Sequence, residues 1–430
     1  MIARSGRIDT MDATIALKPK EENQLTKIIL LQLLLLGVAF CFYSINRFSF
    51  PIGLKDIGAT YQFSAIQIST LGTAFLLGQG LIDIPTGYLA DKFNRRLLFF
   101  ISVFGMGATV IGFVLFTTGF FTALFWRVAF GCTEGIFNIC LFALAGMILP
   151  KRRAFLNNLM GAFYGIGGIL GPTVYGLLNK STGQWQLPLE MIAVATIAWA
   201  FVLLAFLRIS DKNIPVLAFQ KTHAPVGETF FGALNKLVRI PAMWKALTIP
   251  LLNLISQWGY GGLGAYLLIT VKHVDVLFAG TVIALAFGLG PLVAPFFGYI
   301  ADRLGRKYVI VTLSVILIIG LYVLFASDIV SHPALLVAAF CVGVGTHTIY
   351  WLGYTVVQDA VPPVYIGFAT GITGGLGYLL ASSTGFLIGI ITHSFGYSAA
   401  VWIVLIAPEI LVALCALLFL PAKPKIPEHV

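Results

Sequence analysis

Apolar runs long enough to cross a bilayer recur twelve times along the 430 residues, and this repetition limits the fold more than any other feature. A span needs about 20 mostly apolar residues at about 1.5 Å of helix rise each. The runs fall at roughly 28–53, 65–88, 97–117, 121–149, 154–178, 187–207, 246–271, 277–300, 308–326, 333–359, 365–392 and 397–420. In lipid a backbone must satisfy its own polar groups, so runs of this length read as helices. Pro150 and the basic run 151–154 divide the fourth span from the fifth, and Pro408 lies inside the twelfth, where a kink is tolerated. Hydrophobic residues make up 59% of the chain and charged ones 10%, against about 25% charged in a soluble domain. No soluble fold of this length hides that much apolar surface, so the excess must face the lipid bilayer.

The formal charge of +10 raises the question of nucleic acid, and the placement of the charges answers it. Lys and Arg cluster in short turns between apolar runs instead of spreading along a solvated face. With the N-terminus in the cytoplasm, 22 of the 27 basic residues fall on the cytoplasmic side, and the opposite loops hold Lys55, Lys180 and Lys272. The positive-inside rule therefore puts both termini inside. The polar segment 1–27 has no signal-peptide core and reads as a cytoplasmic tail, as does 421–430. The proline-bearing polar stretch 208–245 reads as a cytoplasmic linker between a six-helix bundle at 28–207 and another at 246–420. Five cysteines sit inside apolar runs without a CxxC pair and read as small packing residues.

The decapeptide GYLADKFNRR (87–96) returns as GYIADRLGRK (298–307), 211 residues later. Both copies close an apolar run, cross a tight basic turn and enter the next run. The fifth and eleventh spans echo each other as well, in GAFYGIGGILG (161–171) and GITGGLGYLLA (371–381). Two parallel six-helix halves would leave this trace. Gly87 and Gly298 permit close helix contact, and Asp91 and Asp302 can pair with the arginine-rich turns that carry Arg95 and Arg306. The doubled loop resembles the GxLaDrxGrkx signature of the major facilitator superfamily. That resemblance implies an all-α membrane protein of twelve transmembrane helices in two pseudo-symmetric six-helix bundles, with the two loops acting as a cytoplasmic gate. Asn94 departs from the pattern, standing where the second copy has Gly305, and is expected to take the left-handed turn that Asn tolerates.

Charge at bilayer depth costs about 2.5–3.5 kcal/mol or more and calls for a reason. Arg47, Asp83, Arg127, Glu134 and Glu409 fall inside spans, with His347 as a further titratable group. Arg127, Gly131, Glu134 and Asn138 occupy about 60° of arc on one helix at 100° per residue. Tyr43, Asn46, Arg47 and Phe50 form a second stripe on the first span. Facing each other, the stripes could line a pathway or form a permanent ion-pair network between helices. For Asp83 a proton site and a structural partner of the loop are both open; Glu409 reads as structural. GGILGP (167–172) is similar to a motif of proton-coupled drug exporters, and a simple packing face is the favoured reading.

FYSINRFSFP (42–51) resembles the first-helix pattern YxDRxNxSxAxP of the anion:cation symporters, and RVAFGCTEGIFN (127–138) resembles their fourth-helix pattern of Arg and, seven residues on, Glu. The resemblance implies a carrier of organic anions, such as sugar acids, with protons as the coupling ion. It assigns anion binding to Arg47 and proton coupling to Glu134, with Arg127 as the balancing charge. Asn46 stands where the family usually has Asp, which implies fewer coupled protons. Tyr43, Asn46, Gln257, Tyr260, His347, Ser382 and Ser383 are candidate hydrogen-bonding partners of the substrate. The competing function is a proton-coupled exporter of drugs or lipophilic cations, against which a cavity arginine argues by repulsion. No nucleotide-binding loop or metal-ligand cluster appears, so neither an ATP-driven pump nor an enzyme is expected, and no cofactor or metal. A monomer in the cell's inner membrane completes the expectation.

Overall fold

The computed structural model describes residues 19–208 and 228–422. Most of the two expected tails, and 209–227 of the expected linker, lie outside the described residues. Among the described residues every regular element is helical. The first six helices are α1 (Pro19–Tyr61), α2 (Ala65–Lys92), α3 (Arg95–Phe116), α4 (Phe120–Ile148), α5 (Arg153–Thr182) and α6 (Gln186–Phe206). A short α7 (Phe230–Val238) precedes α8 (Pro241–Val271), α9 (Val276–Gly288), α10 (Ala294–Leu304), α11 (Arg306–Leu321), α12 (His332–Asp359), α13 (Ile366–Ser382), α14 (Thr384–Phe395) and α15 (Ala407–Phe419). Among the described residues ten helical runs are long and apolar enough to cross a membrane, and α8 joins them once its 89° bend from α7 is allowed for. The 28-residue α2 corresponds to the remaining run of the sequence.

Local chemistry sets several boundaries. Ser64 and Gln67 form a reciprocal capping box at the start of α2. Asn94 does not take the expected left-handed conformation: its φ is −66°, and its side chain accepts from the Arg96 N–H to cap α3. Its counterpart Gly305, at φ 103°, does require glycine. Two runs that read as single spans are interrupted. A 3₁₀ turn over Gly290–Val293 divides α9 from α10, where Gly288, Gly290 and Pro291 weaken the helix. The other break falls at Ser383, between α13 and α14.

The same helix pairing occurs twice. α1 packs on α5, α2 on α4, and α3 on α6 and α4; correspondingly α8 packs on α13, α9 on α12, and α11 on α15 and α12. This makes two six-helix bundles with a common internal plan. They meet along two seams, α2 against α13 and α5 against α9 and α10. Glycine makes each seam close. A Cβ on Gly87 would lie 2.6 Å from the Gly367 carbonyl oxygen, and one on Gly298 would lie 2.7 Å from that of Ala154. Gly167 and Gly171 of the GGILGP segment pack on the backbone of α1, and the Ser49 hydroxyl donates to the Gly171 carbonyl at 3.0 Å. That segment is a packing face.

Candidate functional site

The repeated loops come together at the end of the molecule that carries the basic turns. Each aspartate reaches across a seam to the first turn of a helix in the other bundle. Asp91 accepts from the backbone N–H groups of Gly367 and Phe368 at 3.1 and 2.8 Å, at the start of α13. Asp302 accepts from Ala154 and Phe155 at 3.2 and 2.9 Å, at the start of α5. The unpaired N–H groups of a helix start and its positive dipole end favour a carboxylate there. The arginines sit behind: Arg95 is 3.5 Å from Asp91 and Arg306 is 3.3 Å from Asp302. The copies are not identical in their surroundings. Asp359 joins Arg153 and Arg306 at 2.6 Å each, whereas Arg95 turns to the Met147 sulfur and the Ala90 carbonyl.

The two stripes face each other at the centre. Arg47 Nε lies 3.1 Å from Glu134 Oε1, and Arg47 Nη2 lies 2.9 Å from Glu134 Oε2. Nη2 also donates to Gln79, whose amide in turn donates to the Tyr43 hydroxyl at 3.2 Å. Aromatic rings wrap the guanidinium, with Phe75 at 4.6 Å, Tyr43 at 4.8 Å, Trp258 at 5.6 Å and Tyr378 at 5.9 Å. Arg47 is 3% exposed and Glu134 fully buried. Beside them is a cavity of about 20 Å³, room for little more than a water molecule. Both bundles line it: Tyr43, Asn138 and Tyr164 from one, Gln257, His347, Tyr350, Trp351 and Tyr378 from the other.

The two walls differ in chemistry. Arg47 supplies fixed positive charge on one side. On the other, His347 Nδ1 must donate to the Gly343 carbonyl, 3.0 Å away, which leaves Nε2 of the neutral ring as an acceptor. Among the described residues neither Nε2 nor the Gln257 side-chain oxygen has a partner, and neither does the Trp258 ring N–H. A chain of hydroxyls runs from Tyr354 through Tyr350 to Tyr378, at 2.7 and 2.9 Å. A larger groove of about 490 Å³ lies at the basic end near Lys245, Asp359 and Phe419, but it belongs to one bundle and touches neither stripe.

Several residues that the sequence singled out stand elsewhere. Asn46 is one residue, hence about 100° of helix rotation, from Arg47. It donates to Thr196 on α6 at 2.8 Å and to the Phe42 carbonyl, away from the cavity. Arg127 makes no bond to Glu134; it donates to the Leu71 carbonyl and stacks on Phe50 at 3.8 Å. Tyr260 is buried against Phe287, outside the cavity lining. Ser382 and Ser383 return their hydroxyls to the carbonyls of Leu379 and Leu380 at the α13–α14 break. Glu409 accepts from Asn253 at 3.0 Å within the second bundle. Sequence reasoning missed Tyr164, Trp258, Trp351 and Tyr378, which complete the aromatic cage.

The sequence model described as the Major Facilitator Superfamily matches residues 35–385 and 251–430. Among curated relatives, the probable nitrate transporter NarT of Staphylococcus aureus is 25% identical over 389 residues, covering 84% of this chain and 87% of the relative. Others align over much less: the efflux pump patC of Aspergillus clavatus is 26% identical over 132 residues, 30% of this chain and 24% of the pump. The crystal structure of the fucose:proton symporter FucP of E. coli superposes with a TM-score of 0.69 at 15% identity, covering 90% of this chain and 98% of that one. With the profile spanning most of the sequence and the paired bundles matching a solved carrier, the chain belongs to the major facilitator superfamily and is a multi-pass membrane transporter, not an enzyme.

Proposed function

We propose that this chain is a symporter that moves a hydroxylated organic anion, such as a sugar acid, together with protons by alternating access. One observation carries the reading: a buried arginine at the bundle interface whose planar fork is held by a carboxylate. An arriving carboxylate competes with Glu134 for Arg47. Once released into a buried position, Glu134 is costly as an anion and takes up a proton. Anion binding and proton uptake then favour each other. The opposite wall supports the hydroxylated class, since the acceptors on His347 and Gln257 want donors on the ligand. The likeness of 42–51 and 127–138 to the anion:cation symporters points the same way. In this reading the basic end is cytoplasmic and the Asp91 and Asp302 contacts are its gate. A cavity arginine disfavours lipophilic cations.

A second reading, a small inorganic anion such as nitrate, draws on the relative NarT and on the small cavity. It leaves the acceptor wall without a role. Proteoliposomes holding purified protein under an inward proton gradient discriminate the readings. Labelled hexuronates are expected to accumulate and labelled nitrate is not; the reverse result establishes the second reading. Glu134→Gln imitates the protonated form and is expected to exchange substrate across the membrane while losing accumulation against a gradient. Uphill accumulation at the wild-type level by that variant ends the coupling role of Glu134.

A further inference from the structure

Asp83 is fully buried in the middle of α2, and among the described residues neither of its carboxylate oxygens has a hydrogen-bond partner. It lies at the seam between the bundles. A Cβ on Gly135 of α4 would fall against Oδ1, and one on Gly374 of α13 would fall against Oδ2, so these glycines leave the carboxyl just the room it fills. Gly371, one turn before Gly374, packs on the backbone of Asp83 and Gly87. The carboxyl is therefore enclosed by the same α2–α13 contact that Asp91 fastens at the basic end.

The ionisable groups around Asp83 are Arg47 on α1, Cys132, Glu134 and Cys140 on α4, Tyr354 on α12 and Tyr378 on α13. Among the described residues Arg47 is the cation of that set, and Glu134 and Gln79 occupy its fork. An ionised Asp83 would thus be a buried charge with neither a hydrogen bond nor a free counter-ion, which costs several kcal/mol. The neutral acid avoids most of that cost.

We infer that Asp83 is a proton-binding site whose occupancy is tied to closure of the α2–α13 seam. With the seam shut the carboxyl keeps its proton. When α2 and α13 part, water reaches it and the proton leaves to solvent; closing again requires a proton to return. By linkage the closed form binds more protons than the open one, so raising the pH favours opening. On the carrier reading above, this adds a proton-dependent step separate from the Arg47–Glu134 exchange. Gly374 also lies 3.1 Å, measured from its would-be Cβ, from the Tyr354 hydroxyl, at the head of the chain leading to Tyr378 in the cavity wall.

Spin labels at the exposed residues Phe93 and Leu304, one in each bundle at the basic end, read the closure directly as a distance distribution. In otherwise wild-type protein the population is expected to move from short to long distances as pH rises. Asp83→Asn, which imitates the protonated acid, is expected to hold the short distance at every pH. Glu134→Gln is expected to keep a pH-dependent shift. The inference is overturned if Asp83→Asn opens with pH as the wild type does, or if Glu134→Gln alone abolishes the shift. Should Asp83→Asn not fold, wild-type protein labelled with carbon-13 aspartate gives a second reading. In the closed form an infrared band of a protonated aspartic acid is expected at neutral pH, and its absence overturns the inference. Neither measurement uses a transported substrate, so failure of organic-anion uptake leaves this test intact.

Discussion

A single step along a helix separates the residue that faces the cavity from the one that does not. Arg47 points between the bundles, while Asn46, about 100° away, is bonded into α6 through Thr196. Its side-chain nitrogen donates to two acceptors, the Phe42 carbonyl and the Thr196 oxygen. The aspartate common at this place in the anion:cation symporters would set a carboxylate against both. Asn46→Asp is therefore expected to lower stability by about 1–3 kcal/mol, the cost of a buried polar clash, with no new pH dependence of transport. A thermal melt checks the first part and a pH profile of uptake the second; a variant of wild-type stability that gains a pH-dependent flux puts Asn46 back in the pathway. Arg47 and Glu134 were legible in the sequence because charge inside an apolar run stands out and seven-residue spacing keeps one helix face. Tyr164, Trp258, Trp351 and Tyr378 were not. Aromatic residues make up 13% of the chain and serve lipid, packing and cavity alike, so composition does not separate those uses. Where both faces of a helix are apolar, periodicity gives no rotation about its axis.

At the scale of elements, the segment after 227 does more than divide the halves. The Glu228 backbone carbonyl accepts from the Tyr88 hydroxyl at 2.8 Å and from Lys92, both on α2. Its carboxylate accepts from the Tyr365 hydroxyl at 3.1 Å, just before α13, and pairs with Lys236 of α7 at 2.7 Å. Phe230 packs on Tyr88 and Phe368, one ring from each side of the seam. This brace crosses α2 and α13 but leaves the α5–α10 seam alone. Tyr365→Phe removes one hydrogen bond of about 1 kcal/mol, so amide exchange in the first turn of α13 is expected to rise roughly fivefold. Exchange at the start of α5 should not change; equal acceleration at both helix starts would mean the brace acts on the molecule as a whole. The twelve runs were readable because span length is a property of the chain alone. The brace was not, because its contacts join residues about 140 positions apart. The breaks at Gly290–Val293 and Ser383 left only faint marks, in glycine, proline and paired serines.

For the whole molecule, the repeated decapeptide fixes two tethers that act in parallel on one motion. If the bundles rock as rigid bodies, the basic end opens only when the α2–α13 and α5–α10 seams part together. The closure free energy then contains the sum of both tethers, each made of two backbone N–H groups bonded to one carboxylate. Asp91→Asn and Asp302→Asn each weaken one tether by about 1.4 kcal/mol on the scale of charge-assisted bonds, which is roughly tenfold in the open-to-closed ratio. The tethers lie on different seams and bond different backbone N–H groups, so their effects should add, and the double variant should open about a hundredfold more than wild type. The label pair at Phe93 and Leu304 measures all four proteins under one condition. A double variant no more open than the stronger single one would mean that one seam can part while the other holds. The bundles would then bend internally, and rigid rocking about the central Arg47–Glu134 pair would not describe this carrier.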